Sequence, residues 1–197
     1  MIANPSVPAF RYDPYSKKLT RERYNHSEMR SVRNEAVRAA RRSIDALAAS
    51  SDAHDGLACA SQSEESYPPL WGVVLGTLGR QGSFKQLRAI THQLSSSRTP
   101  IPHMPILLSE LSPAKLALFN PHISTFVQTS CPRLSIDWGY AFDKPLLSPY
   151  ETAVAVGKVV GWVEETEDGK KENIYPMDFY AAGTPWALSR TKASYEN

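Results

Sequence analysis

Three short strand-like segments separated by helical patterns, the first a continuous apolar run, constrain this chain more than any other feature. The first is Leu70-Trp71-Gly72-Val73-Val74-Leu75-Gly76-Thr77. The second spans residues 103–108 and the third residues 123–129. A continuous apolar run such as the first is the mark of a strand buried on both faces. Gly79, Arg80, Gln81 and Gly82 form a tight turn after the first run, and Ser83 caps the next helix. Phe84, Leu87, Ile90 and Leu94 supply that helix with its buried face. Ser112-Pro113 opens a second, shorter helix before the third segment. Another helix is predicted to start near Pro149 and to carry Val154 and Val156. Strand, helix, strand, helix, strand at these spacings calls for right-handed crossovers and a parallel sheet. The expected class is α/β, a Rossmann-like three-layer domain with a short parallel sheet.

Upstream, Asn25 can cap a helix, with Glu28 three residues on completing a capping box. Met29, Val32, Ala36, Ala40, Ile44 and Leu47 make its apolar stripe. Arg30, Arg33, Arg38 and Arg41 lie largely off that stripe and read as a solvated basic face; an RNA-binding helix is the alternative. Residues 1–24 read as a connector, because Pro8 and Pro14 block a helix there. The α/β domain then occupies residues 25–197, with a polar insertion at about 49–69. That insertion is rich in Ser and Ala, carries Asp52, Asp55, Glu64 and Glu65 without a basic residue, and reads as a mobile loop. Residues 164–173 read the same way.

The whole-chain balance of 22 Lys+Arg against 20 Asp+Glu excludes a strongly basic nucleic-acid or membrane-surface binder. The 197 residues suit one domain with extensions. Two cysteines build neither a disulfide framework nor a four-thiolate metal site. No apolar run reaches membrane-spanning length, and the start of the chain lacks the basic and apolar regions of a signal peptide, so a cytoplasmic protein is expected.

In an open parallel sheet, ligands bind beyond the carboxyl ends of the strands. Two loops fall there. The first, Gly76-Thr77-Leu78-Gly79-Arg80-Gln81-Gly82, matches neither a dinucleotide fingerprint nor a Walker sequence, and serves equally as a strand-to-helix turn or an anion site. The second places Cys131 at the mouth of the sheet, followed by Pro132 and Arg133. A helical first turn and a neighbouring cation suit a nucleophile or a soft-metal ligand. A buried structural cysteine is the alternative. Cys59 falls in the polar insertion. His26, His54, His92, His103 and His122 show no metal-ligand spacing, and no Ser/His/Asp order or carboxylate pair stands out.

Phe126-Val127-Gln128-Thr129-Ser130-Cys131-Pro132-Arg133-Leu134-Ser135-Ile136-Asp137-Trp138-Gly139 and Lys144-Pro145-Leu146-Leu147-Ser148-Pro149-Tyr150-Glu151 resemble the C-terminal part of the diphthamide synthase subunit 1 family. The resemblance extends to Tyr12-Asp13-Pro14-Tyr15-Ser16, to residues 76–83, to Leu107-Leu108-Ser109-Glu110 and to Tyr175-Pro176-Met177-Asp178-Phe179-Tyr180. It implies a three-domain architecture of which this chain is the third domain. Each domain gives one cysteine to a shared four-iron four-sulfur cluster that binds S-adenosylmethionine. It further implies a radical 3-amino-3-carboxypropyl transfer to a histidine of translation elongation factor 2, the first step of diphthamide synthesis. Subunit 2 and a small iron-protein electron donor are the implied partners, with no nucleic acid and no membrane.

Carried onto this chain, the resemblance makes Cys131 the metal ligand. Arg133 and Asp137 become candidate catalytic neighbours, and Thr77, Arg80 and Gln81 candidate cofactor-binding residues. Structural roles in capping or packing are the alternative for all five. Two further cluster cysteines are missing and Cys59 cannot replace them, so the chain is expected to be part of a longer protein and inactive alone. Two other readings stand beside this one: a non-catalytic interaction module of the same fold, and a plain nucleotide-binding domain.

Overall fold

The computed structural model describes residues 7–52, 68–77, 83–166, 169–172, 175–177 and 183–184. The Pro-rich opening, expected as a connector, is instead an antiparallel hairpin of β1 (Ala9–Asp13) and β2 (Lys18–Glu22). Neither proline obstructs it, because Pro8 precedes the first strand and Pro14 sits in the turn. Asp13 organises that turn by accepting from the Tyr15 N–H (3.0 Å) and the Ser16 hydroxyl (2.5 Å).

The long helix α1 (His26–Asp52) begins where the capping residues place it. Asn25 Oδ1 accepts from the Glu28 N–H at 3.1 Å, and its Nδ2 donates to Glu28 Oε2 at 2.9 Å, a side-chain variant of the expected box. The helix runs on through the first four residues of the stretch assigned to the insertion; residues 53–67 of that stretch lie outside the described residues. Its buried face is Met29, Arg33, Val37, Ala40 and Leu47, whereas Val32 is exposed. Met29, Ala40 and Leu47 of the predicted stripe are buried and Ala36 and Ile44 pack against the core, but Arg33 and Val37 join them in place of Val32, so Arg33 is a core residue rather than part of a solvated face.

The sheet is wholly parallel and has the order β4 (His103–Leu108), β3 (Leu70–Gly76), β5 (Ile123–Gln128), β6 (Leu146–Leu147). Only the two-residue β6 was unexpected; a run so short carries no periodic signal. Side chains alternate across β3, sending Trp71, Val73 and Leu75 to one face and Val74 to the other. The first face meets α1, α2 (Phe84–Ser95) and α5 (Pro149–Ala155). The second meets Leu116 of α3 (Pro113–Ala117) together with Ile106, Ile123, Phe126 and Leu146. Helical layers on both faces make the domain a three-layer α/β unit, as expected.

Ser83 caps α2 through a bond from the Gln86 N–H, and Leu87, Ile90 and Leu94 are buried as predicted. Phe84 is exposed, because as the first helical residue it lies beyond the packed stripe, which Gln93 joins instead. The polar residues 164–173, expected as a loop, include a second hairpin of β7 (Val163–Thr166) and β8 (Gly169–Glu172). Its register sets Glu164 opposite Lys171 and Glu165 opposite Lys170. No helix among the described residues is long and apolar enough to cross a membrane.

Candidate functional site

The strand order creates a switch point. From β3 the chain crosses to β4 on one side, then returns to β5 on the other side of β3, and continues outward to β6. The crevice beyond the carboxyl ends of β3 and β5 is where such a sheet accepts ligands. Thr77 leaves one of these strands and Cys131 the other, so the topology brings the two sequence loops to one mouth.

The backbone at this mouth is pinned. The Thr77 N–H donates to the Leu108 carbonyl at 2.8 Å, while both the N–H (3.1 Å) and hydroxyl (3.0 Å) of Thr129 donate to the Val74 carbonyl. A Cβ on Gly76 would meet Ser130 Oγ, so any larger residue there would make the Ser130 side chain turn away from β3. Cys131 itself is exposed and unbridged. It precedes Pro132 and the short helix α4 (Arg133–Trp138). Its carbonyl accepts from the Leu134 N–H at 3.0 Å and from Gln128 Nε2 at 3.1 Å. The buried-cysteine alternative therefore does not hold.

Arg133 and Asp137 are partners of each other one helical turn apart, with Arg133 Nε donating to Asp137 Oδ2 at 2.5 Å. The Tyr24 hydroxyl donates to Asp137 Oδ1 at 3.2 Å, tying α4 to the residue just before α1. Burial, with the nearby Asp137 charge adding to it, pushes the Tyr24 hydroxyl up to about 12. Arg80 and Gln81 lie outside the described residues, as does Cys59. Among the described residues no group of three or more His, Cys, Asp and Glu is placed to hold a metal ion. A soft thiolate suits iron–sulfur ligation, so the donor present fits such a group as one ligand of several.

Behind the mouth lies a polar core that the sequence reading missed. Arg33 and Glu151 are 1% and 0% exposed and form a fork-to-fork pair: Nε to Oε1 at 2.6 Å and Nη2 to Oε2 at 2.8 Å. Nη2 also donates to the Leu146 carbonyl at 2.7 Å. Glu151 accepts further bonds from the Ser148 N–H (2.8 Å) and the Tyr175 hydroxyl (3.0 Å), and Ser148 returns a full capping box to α5. Burial works against the Arg33 charge, but the Glu151 carboxylate outweighs it and the guanidinium pKa is raised. Burial, reinforced by Glu151, likewise holds the Tyr175 hydroxyl well above its ordinary range. Gly139 closes the arrangement, since a Cβ there would meet Arg33 Nη1 at 2.2 Å. The motif running from Lys144 to Glu151 is thus a clamp joining α1, β6, α5 and the segment at Tyr175. Arg33 falls four residues from both Met29 and Val37, which was the available sign of its burial.

Comparison with known proteins bears on the family and the fold. The family model described as "Putative diphthamide synthesis protein" matches residues 61–167, more than half of the chain. The 2-(3-amino-3-carboxypropyl)histidine synthase subunit 1 of Gibberella zeae is 44% identical over 98% of the chain, and that of Mus musculus 44% identical over 96%. These matches take up 33% and 35% of the two relatives, so the chain spans about a third of their length. Among solved structures, Dph2 from Pyrococcus horikoshii, crystallised with a 4Fe-4S cluster, superposes with a TM-score of 0.51 at 18% identity, covering 85% of this chain and 37% of that one. That likeness concerns the α/β fold. On the family model and the sequence relatives together, the chain belongs to the diphthamide synthesis protein family.

Proposed function

We propose that this chain gives one thiolate, Cys131, to a four-iron four-sulfur cluster whose other ligands come from outside it. The assembly it serves is an S-adenosylmethionine-dependent transferase acting in the cytoplasm on a histidine of translation elongation factor 2, at the first step of diphthamide biosynthesis. One observation carries the reading: Cys131 is an exposed free thiol at the switch point of the sheet, on a loop whose backbone is pinned to the neighbouring strand. The names of the sequence relatives support the reaction class, and the 4Fe-4S cluster in the Pyrococcus Dph2 crystals supports the cofactor. When bound, such a cluster supplies the electron for reductive cleavage of S-adenosylmethionine to a 3-amino-3-carboxypropyl radical.

The chain's own part is positional. Thr129 holds the Cys131 loop against β3, and the first turn of α4 turns its backbone N–H groups back toward the loop, the Leu134 N–H reaching the Cys131 carbonyl. Arg133, two residues after Cys131 and paired with Asp137, is the candidate cation for the carboxylate of S-adenosylmethionine. Thr77, Arg80 and Gln81 are the corresponding candidates on the β3 side. Since one thiolate does not hold a cluster that needs three, the chain acts with the remainder of a full-length subunit 1, with subunit 2 and with a small iron-protein electron donor.

A non-catalytic interaction module of the same fold is the second reading. The two part on one experiment. The chain, co-expressed with the N-terminal region of a full-length relative and with subunit 2, is reconstituted anaerobically with iron and sulfide. It is then given S-adenosylmethionine labelled in the aminocarboxypropyl group and elongation factor 2. Label on the factor supports the enzyme reading; a folded assembly without cluster absorption or label sinks it.

A further inference from the structure

We propose that Gln128 is a positioning residue for Cys131, a role that rests on the reading of Cys131 as a cluster ligand. Gln128 ends β5 on the same face as Phe126 and is completely buried. An amide in that place has to be explained by its bonds. Its Nε2 donates to the Cys131 carbonyl at 3.1 Å and to Ser135 Oγ at 3.0 Å. A carbonyl only accepts, so the NH₂ end must face Cys131 and the amide has one orientation. In that orientation the other end, Oε1, is buried without a hydrogen-bond partner. A site evolved for stability alone would do better with an apolar side chain of the same shape, which leaves no bare acceptor. The exposed acceptor deficit marks the amide as kept for what its NH₂ does.

What it does is fix the peptide plane that follows Cys131. The Cys131 carbonyl is held from two sides, by Gln128 from the strand and by the Leu134 N–H from the helix. With Thr129 anchored to Val74 and Pro132 locked in φ, the Cα–Cβ direction of Cys131 is determined between two rigid neighbours. A thiolate that joins ligands from other parts of an assembly needs such a preset direction, because the ordering is then complete before the metal arrives.

The test uses Gln128→Met, which keeps length and removes both bonds, and Gln128→Glu, which keeps shape but sets a second acceptor against the Cys131 carbonyl. Ser135→Ala removes one of the two Gln128 contacts and leaves Cys131 held. In a Cys59→Ser background, iodoacetamide alkylation of the 197-residue chain reads Cys131 alone. Gln128→Met should accelerate it about threefold or more, because the already exposed thiol is then released from its one fixed direction, with Ser135→Ala staying within about twofold of the parent. In the complete assembly, Gln128→Met should need about tenfold more iron and sulfide for half-loading, the usual scale for outer-shell partners of a metal site. Should Gln128→Met not fold, Gln128→Glu is read on the same scales. An unchanged alkylation rate in a folded Gln128 variant overturns the pinning, and normal loading overturns its purpose. A normal cluster in Cys131→Ala would overturn the ligand reading instead, and leaves the alkylation comparison standing as a separate result on the loop.

Discussion

Replacing Arg33 with methionine examines the polar clamp at its most exposed point. The guanidinium makes two bonds to Glu151 and one to the Leu146 carbonyl, all within the core. Met fills much of the same volume, so cavity formation is a small part of the effect and the main loss is the partner of a buried carboxylate. Breaking a buried pair by removing one member costs about 3–5 kcal/mol. Glu151 keeps its bonds from the Ser148 N–H and the Tyr175 hydroxyl, which places the expected loss near the lower end of that range. Against a typical domain stability of about 5–15 kcal/mol this is a large fraction. At about 2–4 °C per kcal/mol for a chain of this length, a loss near about 3 kcal/mol should lower the melting temperature by about 6–12 °C. Urea unfolding followed by tryptophan fluorescence and circular dichroism gives the free energy, with an unchanged m-value showing that the same unit unfolds. The double variant Arg33→Met/Glu151→Met removes the stranded charge and should be more stable than Arg33→Met alone. It should not regain wild-type stability, because Ser148 and Tyr175 then lose their acceptor, at about 1–3 kcal/mol. A cost for Arg33→Met below about 1 kcal/mol, the scale of a surface pair, would refute the reasoning. So would a double variant whose loss equals the sum of the singles.

Gly139→Ala drives a methyl group against Arg33 and should cost about 1–3 kcal/mol in the same urea assay. In the Arg33→Met background that penalty should shrink, and an undiminished one would show that Arg33 is not the obstacle. Tyr175→Phe removes one hydroxyl bond to Glu151 and should cost about 1–2 kcal/mol without altering the m-value; no loss would mean that the bond contributes nothing. Tyr24 bears on pH dependence. Its folded pKa of about 12 lies above the ordinary value of 10.0, so the unfolded chain loses this proton first as pH rises. The associated stability is fully present below pH 10.0 and is lost as pH climbs toward about 12. Tyr24→Phe should therefore flatten the decline in the urea midpoint above pH 10.0, only in part because burial raises Tyr150 and Tyr175 as well. Identical pH slopes for parent and variant would contradict this.

Three of the four strands of the sheet were readable, β3 as an uninterrupted apolar run and β4 and β5 from their place between turn and helix signals, and the predicted ends match within one residue. Caps were readable for the same local reason at Asn25 and Ser83, which place an oxygen where the first helical N–H groups need one, whereas Ser112 opens its helix without a side-chain capping bond and the Ser148 cap went unread. Cys131 at a strand end could be placed from the alternation of elements alone, but that it shares a mouth with Thr77 depended on strand order. Order is a non-local property, set by which crossover goes to which side of β3. The role of Arg33 was hidden for a different reason. Charge argues for solvent, and only a partner 118 positions away, Glu151, makes its burial favourable. The two hairpins were masked by composition, since prolines and charges say little about pairing when the turn and the register supply the order.

The central claim is that Cys131, and not Cys59, is this chain's contribution to a shared cluster. The measurement is iron and sulfide content, with visible absorption, after anaerobic reconstitution of the complete assembly carrying Cys131→Ala or Cys59→Ala. The account predicts loss of the four-iron four-sulfur signal in Cys131→Ala and a normal signal in Cys59→Ala. A normal cluster in Cys131→Ala, in protein shown to be folded, would contradict it.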